Sequence, residues 1–195
     1  MKLKLLLQAG IKFIVGLLLV SSILFLSAGT FNYPNAWLLI ILLFVPMFFV
    51  GFILGVTNPQ LLEKRLRNKE KETVQKKVIL ITAIIFILGF IIAGIDFRYT
   101  WSKVPNFIIG IGSIVLVIAY TLYIEVIREN QYLSRTIEIQ EEQKVIDTGL
   151  YKIVRHPMYL STTLLFISFP IVLRINIFIY YIFIYTVFAC KTNKK

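Results

Sequence analysis

The sequence predicts an all-α integral membrane protein: four spanning helices, a C-terminal helical hairpin and a small cytoplasmic β-hairpin. Three observations predict it. Hydrophobic residues make up 58% of the 195, and mean hydropathy is +0.81, whereas a soluble domain holds roughly 45–50% apolar residues. The apolar residues gather in runs close to the roughly 20 that cross a bilayer. Lys and Arg collect between the runs, where membrane orientation needs them.

The elements follow in order, as a single membrane domain over residues 1–195. The first span runs over residues 5–29. Lys2, Lys4 and Lys12 before an apolar run from Phe13 to Ala28 mimic a signal peptide, but the runs beyond make it a retained span. An uncharged turn, Phe31-Asn32-Tyr33-Pro34-Asn35, leads into the second span, residues 36–56, where Pro46 predicts a kink rather than a break. The third span covers 78–95 and the fourth 105–127. The last apolar region is interrupted by Pro170 and by Arg174-Ile175-Asn176, which predicts a hairpin of residues 158–173 and 175–189. Each half is short for a full span, so tilted or partial insertion is expected.

Loop charge sets the topology. The connection 58–77 holds Lys64, Arg65, Arg67, Lys69, Lys71, Lys76 and Lys77, and 128–157 holds Arg128, Arg135, Lys144, Lys152 and Arg155. Residues 30–35 hold no basic side chain, and 96–104 only Arg98 and Lys103. The positive-inside bias puts both termini and both basic loops in the cytoplasm. It also accounts for the net charge of +11, so no nucleic-acid partner is expected, nor a metal. The lone cysteine, Cys190, excludes an internal disulfide and does not fit a prenylation box. Asn58-Pro59 starts a helix that either lies on the membrane, with Leu61, Leu62 and Leu66 toward lipid, or connects the spans in solvent. Alternation in Thr136-Ile137-Glu138-Ile139-Gln140, resumed at Lys144-Val145-Ile146-Asp147, predicts the β-hairpin.

One polar stretch carries chemistry, from Asp147 to Tyr159. His156 is the chain's only histidine, and Pro157 after it suits the first turn of a helix, which makes His156 the cap. A helix start offers open N–H groups and a positive dipole end to an anion. Arg155 adds a planar cation, and Tyr151 and Tyr159 add faces for a cationic ligand. S-adenosylmethionine carries both a carboxylate and a sulfonium. On the residues alone, Arg-His-Pro reads equally as a basic interfacial anchor flanked by belt tyrosines.

The segment resembles the signature of the isoprenylcysteine carboxyl methyltransferase family and its phospholipid methyltransferase relatives, Gly-x-Tyr-x-x-x-Arg-His-Pro-x-Tyr. Here that is Gly149, Tyr151, Arg155, His156, Pro157 and Tyr159. The runs Glu129 to Arg135, Gln143 to Gly149 and Asn58 to Leu62 also look like those of bacterial members, which implies a bacterial or archaeal plasma membrane. The resemblance implies binding of S-adenosylmethionine on the cytoplasmic side and methylation of a lipophilic or lipid-modified acceptor from the bilayer. Carried over by position, Gln143, Lys144, Val145, Ile146, Tyr151, His156, Pro157, Met158 and Tyr159 would hold the cofactor, with Thr136 a weaker match. Arg155, His156 and Tyr159 would serve the reaction.

Two departures stand out. Ser161 replaces a glycine common in the family, which alters helix packing. The family also continues past its last helix with an Arg, a Glu-Glu pair and a basic, Tyr-containing tail, whereas this sequence ends at Cys190-Lys191-Thr192-Asn193-Lys194-Lys195. That departure predicts a truncated chain of reduced or lost activity, with a catalytically inactive membrane scaffold as the alternative. Elsewhere, Glu125 and Glu129 at the end of the fourth span read as structural, and Asp96 and Arg98 as interfacial. Gly110, Ile111, Gly112 and Ser113 read as a close helix contact.

Overall fold

The computed structural model of the protein describes residues 2–66, 73–130 and 148–175. Regular structure among them is helical: α1 (Lys2–Ala28), α2 (Pro34–Thr57), α3 (Pro59–Leu66), α4 (Thr73–Tyr99), α5 (Asn106–Glu129), α6 (Leu150–Ile153) and α7 (Pro157–Val172). Four of these, α1, α2, α4 and α5, are long and apolar enough to cross a membrane. Their outward faces are apolar, as in Leu18, Phe49, Leu80 and Ile114, which suits contact with lipid rather than water. The β-hairpin expected over 135–147 and the hairpin's second half at 175–189 lie outside the described residues, apart from Ile175. No strand occurs among those described.

Helix starts follow the prolines. Pro34, Pro59 and Pro157 each open a helix, a position where the missing N–H costs nothing and φ is already set. Pro46 sits inside α2, which runs on unbroken. Pro170 also fails to interrupt: α7 continues through it to Val172. So near a helix end the proline forfeits one bond whose loss the membrane bundle tolerates. The stop comes at Arg174, in the left-handed region at φ 66°. Its N–H donates to the Ile171 carbonyl and the Ile175 N–H to Pro170, the paired bonds of a Schellman cap with Arg where glycine is usual.

Packing ties the ends of α7 to different partners. Most of its face lies on α5, the most extensive helix pair among the described residues. Gly112 of α5 is where Ile171 fits: a Cβ there would come within 2.9 Å of Ile171 Cβ. Gly110 faces open space, so the expected close contact belongs to Gly112 alone of the two glycines. The far end of α7 is held by the turn before α2. The Tyr33 hydroxyl, fully buried, donates to the Leu173 carbonyl at 2.8 Å, and Asn35 Nδ2 to Val172 at 2.9 Å. Tyr33 also stacks on Phe97, with ring centroids 4.0 Å apart. Burial, with the Asp96 carboxylate second, pushes the Tyr33 phenol above its usual range, so it stays a neutral donor. Asp96 is buried at 3% exposure and accepts from Ser102 Oγ at 2.8 Å. Asp96 thus faces the Tyr33 turn rather than solvent.

A Tyr33→Phe variant is expected to lose about 1 kcal/mol, the net worth of one buried hydrogen bond. The measurement is the thermal midpoint of the detergent-solubilised protein, and an unchanged midpoint would show that Tyr33 is held by stacking alone.

The α3 leucines call for a correction. Leu61 and Leu62 are buried at 4% and 5% exposure, facing neither lipid nor solvent. They lie against α1 and α2, where a Cβ on Gly55 would come within 3.5 Å of Leu62 Cδ2. The helix folds back on the bundle and takes both leucines out of water against α1 and α2.

Candidate functional site

The signature stretch lies where α5 ends and α7 begins. α5 stops at Glu129, and its Asn130 cap bonds the Val126 carbonyl. From there two side chains reach across to the signature. The Glu129 carboxylate accepts the Leu150 N–H at 3.0 and 3.2 Å, and Asn130 Nδ2 donates to the Tyr151 hydroxyl at 2.9 Å. A carboxylate on the first N–H of α6 satisfies an open helix-end donor. Glu129 is thus structural, as its sequence position suggested, while Glu125 pairs with Arg128.

Gly149 makes this possible. Its φ of 51° and ψ of −122° are those of the first central residue of a type II′ turn, a conformation glycine adopts readily. The Tyr151 N–H closes that turn on the Thr148 carbonyl at 3.0 Å. A Cβ would overlap Glu129 Oε1 and come within 2.8 Å of Oε2. The motif glycine therefore serves both the turn and the approach of Glu129. Sequence reading missed the Glu129–Leu150 and Asn130–Tyr151 ties. Their only signal was that Glu129-Asn130 shared the same family resemblance as the signature.

α7 opens as expected: His156 is its N-cap and Pro157 its first residue. The His156 side chain makes no capping bond. The helix end is a narrower anion seat than a bare start implies. Pro157 has no N–H, and the Tyr159 and Leu160 N–H groups already bond the His156 carbonyl, at 3.1 and 3.2 Å. Among the described residues the Met158 N–H remains without a backbone acceptor. His156 and Tyr159 are neighbours, with ring centroids 5.5 Å apart. Arg155 and His156 are exposed, and Tyr159 is 71% exposed; Tyr151 and Met158 are half-buried and Pro157 is buried. Gln143, Lys144, Val145, Ile146 and Thr136 lie outside the described residues. Ser161, where glycine is usual, is fully buried and bonds the Met158 carbonyl at 2.9 Å within its own helix, so the extra hydroxyl is satisfied without reaching a neighbour.

A profile described as the Isoprenylcysteine carboxyl methyltransferase (ICMT) family matches residues 110–193. Over this stretch the chain is ICMT-like. The match takes in most of α5, all of α6 and α7, and the whole signature, so it falls on the elements that carry Gly149, Tyr151 and His156. An ICMT-like stretch suggests a methyltransferase of the isoprenylcysteine type in a multi-pass membrane protein. No curated protein and no solved structure matches the chain. Among the described residues there is no cluster of His, Cys, Asp or Glu that would hold a metal ion.

The groups present suit S-adenosylmethionine by charge. Arg155, the Met158 N–H and the His156 imidazole can meet a carboxylate. The exposed ring of Tyr159, standing against His156, offers a face to a sulfonium.

Proposed function

We propose that the protein is an S-adenosylmethionine-dependent methyltransferase of the ICMT type that acts on a lipophilic or lipid-modified acceptor in the membrane. One observation carries the reading: the ICMT-like signature stands at the entrance of α7, with His156 as its uncapped N-cap and Tyr151 and Leu150 tied to the end of α5. Bound S-adenosylmethionine supplies a methyl group on an already good leaving group. The chain's work is then mostly placement. Arg155 and His156 would hold the carboxylate end and Tyr159 would offer its face to the sulfonium, while Gln143 to Ile146 are assigned to the cofactor by the resemblance alone. Alignment of acceptor and methyl, with water kept out, supplies most of the acceleration. A carboxylate acceptor needs no general base, whereas an amine acceptor must first lose a proton.

Calorimetric titration of the detergent-solubilised protein with S-adenosylmethionine tests this. Saturable binding is expected for the intact chain, with at least a tenfold weaker constant for His156→Ala, equal to about 1.4 kcal/mol. The competing reading, a membrane scaffold without catalytic activity, is favoured by the exposure of Arg155, His156 and Tyr159. It predicts no heat of binding from either protein.

A further inference from the structure

The last turn of α3 is fastened to the bundle twice. Lys12 Nζ of α1 donates to the Leu66 carbonyl. Arg65 Nη2 donates to the Tyr123 hydroxyl of α5, and the guanidinium carbon stands 5.2 Å from the centre of that ring. The other terminal nitrogen, Arg65 Nη1, is buried with no hydrogen-bond partner. A guanidinium can only donate, and buried donors in folded proteins nearly always have acceptors. Among the described residues no carboxylate serves it: Glu125 is held by Arg128, and Glu129 by the Leu150 N–H. The Tyr123 hydroxyl accepts from Arg65, and among the described residues its own proton has no acceptor. Two adjacent groups thus each keep an unused donor beside a fixed positive charge.

We propose that Arg65 and Tyr123 form a seat for a phosphate oxyanion at the membrane surface, supplied by the headgroup of an anionic phospholipid. A phosphate has the charge and the several acceptor oxygens that the pair lacks, and it takes the guanidinium fork through two parallel bonds. The level in the membrane fits. Tyr123 precedes the charged end of α5, Glu125 to Arg128, by less than a turn, and the charge bias assigns this end to the cytoplasmic face. Headgroup phosphates lie there, and basic side chains near the surface attract anionic lipids. Arg65 itself is only partly buried, so the fork can turn off the Tyr123 ring toward the interface. That turn releases Nη1 from a place without an acceptor. The seat does not depend on methyl transfer.

The full-length protein in nanodiscs tests the seat. Thermal midpoints are compared in phosphatidylcholine alone and with one quarter phosphatidylglycerol, and retained lipids are counted by native mass spectrometry. The wild type is expected to gain about 3 °C with phosphatidylglycerol and to keep one such lipid. Arg65→Gln should lose both, and Tyr123→Phe about half of the shift. Arg65→Lys keeps the charge without the fork, so it should retain the lipid only weakly; it serves if the glutamine variant does not fold. Inorganic phosphate at 10 mM in pure phosphatidylcholine separates the sources: an equal gain there would make free phosphate the ligand and overturn the lipid. Lys76→Gln, an exposed lysine at the same end of α4, should behave as wild type. If it loses the shift as fully as Arg65→Gln, diffuse charge is responsible and the seat is refuted.

Discussion

Gly149→Ala is expected to abolish measurable S-adenosylmethionine binding while leaving the helical bundle folded. Two costs fall on one residue. The backbone at φ 51° and ψ −122° is strained for any residue with a Cβ, by about 1–3 kcal/mol. The new methyl also overlaps the Glu129 carboxylate. That side chain can swing away, but then the Leu150 N–H loses its acceptor, for roughly a further 1 kcal/mol. The expected outcome is that the turn changes form and the segment from Leu150 to His156 no longer docks on the end of α5 through Glu129 and Asn130. A loss of about 3 kcal/mol is a weakening by more than a hundredfold. The double variant Gly149→Ala with Glu129→Ala separates the costs, since it removes the overlap and keeps the backbone strain. If the single variant binds the cofactor as the wild type does, the turn is not part of the site.

The spans were legible because lipid imposes a one-dimensional rule: about 20 apolar residues, with charges at the ends. The starts of α2, α3 and α7 were legible for a local reason as well, a proline at the first helical position. What escaped was settled by contacts between distant residues. Nothing in Leu61-Leu62 distinguishes a face on lipid from a face on α1 and α2, because both are apolar. Asp96 stands near a helix end, and its burial under the Tyr33 turn is a contact between distant residues. Pro170 reads as an interruption because proline is a strong local signal, yet α7 runs through it and stops within the Arg174-Ile175-Asn176 interruption that the sequence also marks. The site divides in the same way. Gly149, Tyr151 and His156 were marked by the resemblance to the family signature. Their tether to Glu129 and Asn130 spans about twenty positions of chain and shows only in three dimensions.

Gly94→Val is expected to be the most destabilising single change in the bundle. At Gly94 the backbones of α1 and α4 come together: a Cβ would overlap Ser27 Oγ and stand 2.8 Å from both Ser27 Cβ and the Ala28 nitrogen. A flexible side chain can yield to such an intrusion, but the nitrogen of a packed helix cannot. Close approach at small residues is how membrane helices gain dispersion contact without a hydrophobic drive. Ser27 does not bridge the helices, since its hydroxyl bonds the Ile23 and Leu24 carbonyls of its own turn. The contact is therefore one of shape alone, and valine forces the helices apart. Leu24 and Ala93, both fully buried, lose packing with it, and so does Tyr33, which also reaches the Ala93 carbonyl at 3.4 Å. Overpacking of this kind costs about 1–3 kcal/mol where side chains give way, so a cost near the top of that range or above is expected against backbone. The thermal midpoint in detergent should fall by roughly 5–10 °C. Gly110→Ala is the matched control: nothing lies within 4 Å of its Cβ position, and alanine has the better helix propensity by about 1 kcal/mol, so its midpoint should hold or rise. Because Gly94 lies at the Tyr33 end of the bundle and His156 at the other end of α7, whatever Gly94→Val protein remains folded should bind S-adenosylmethionine with unchanged affinity. A full midpoint with lost binding would mean that the α1–α4 crossing shapes the site rather than the fold.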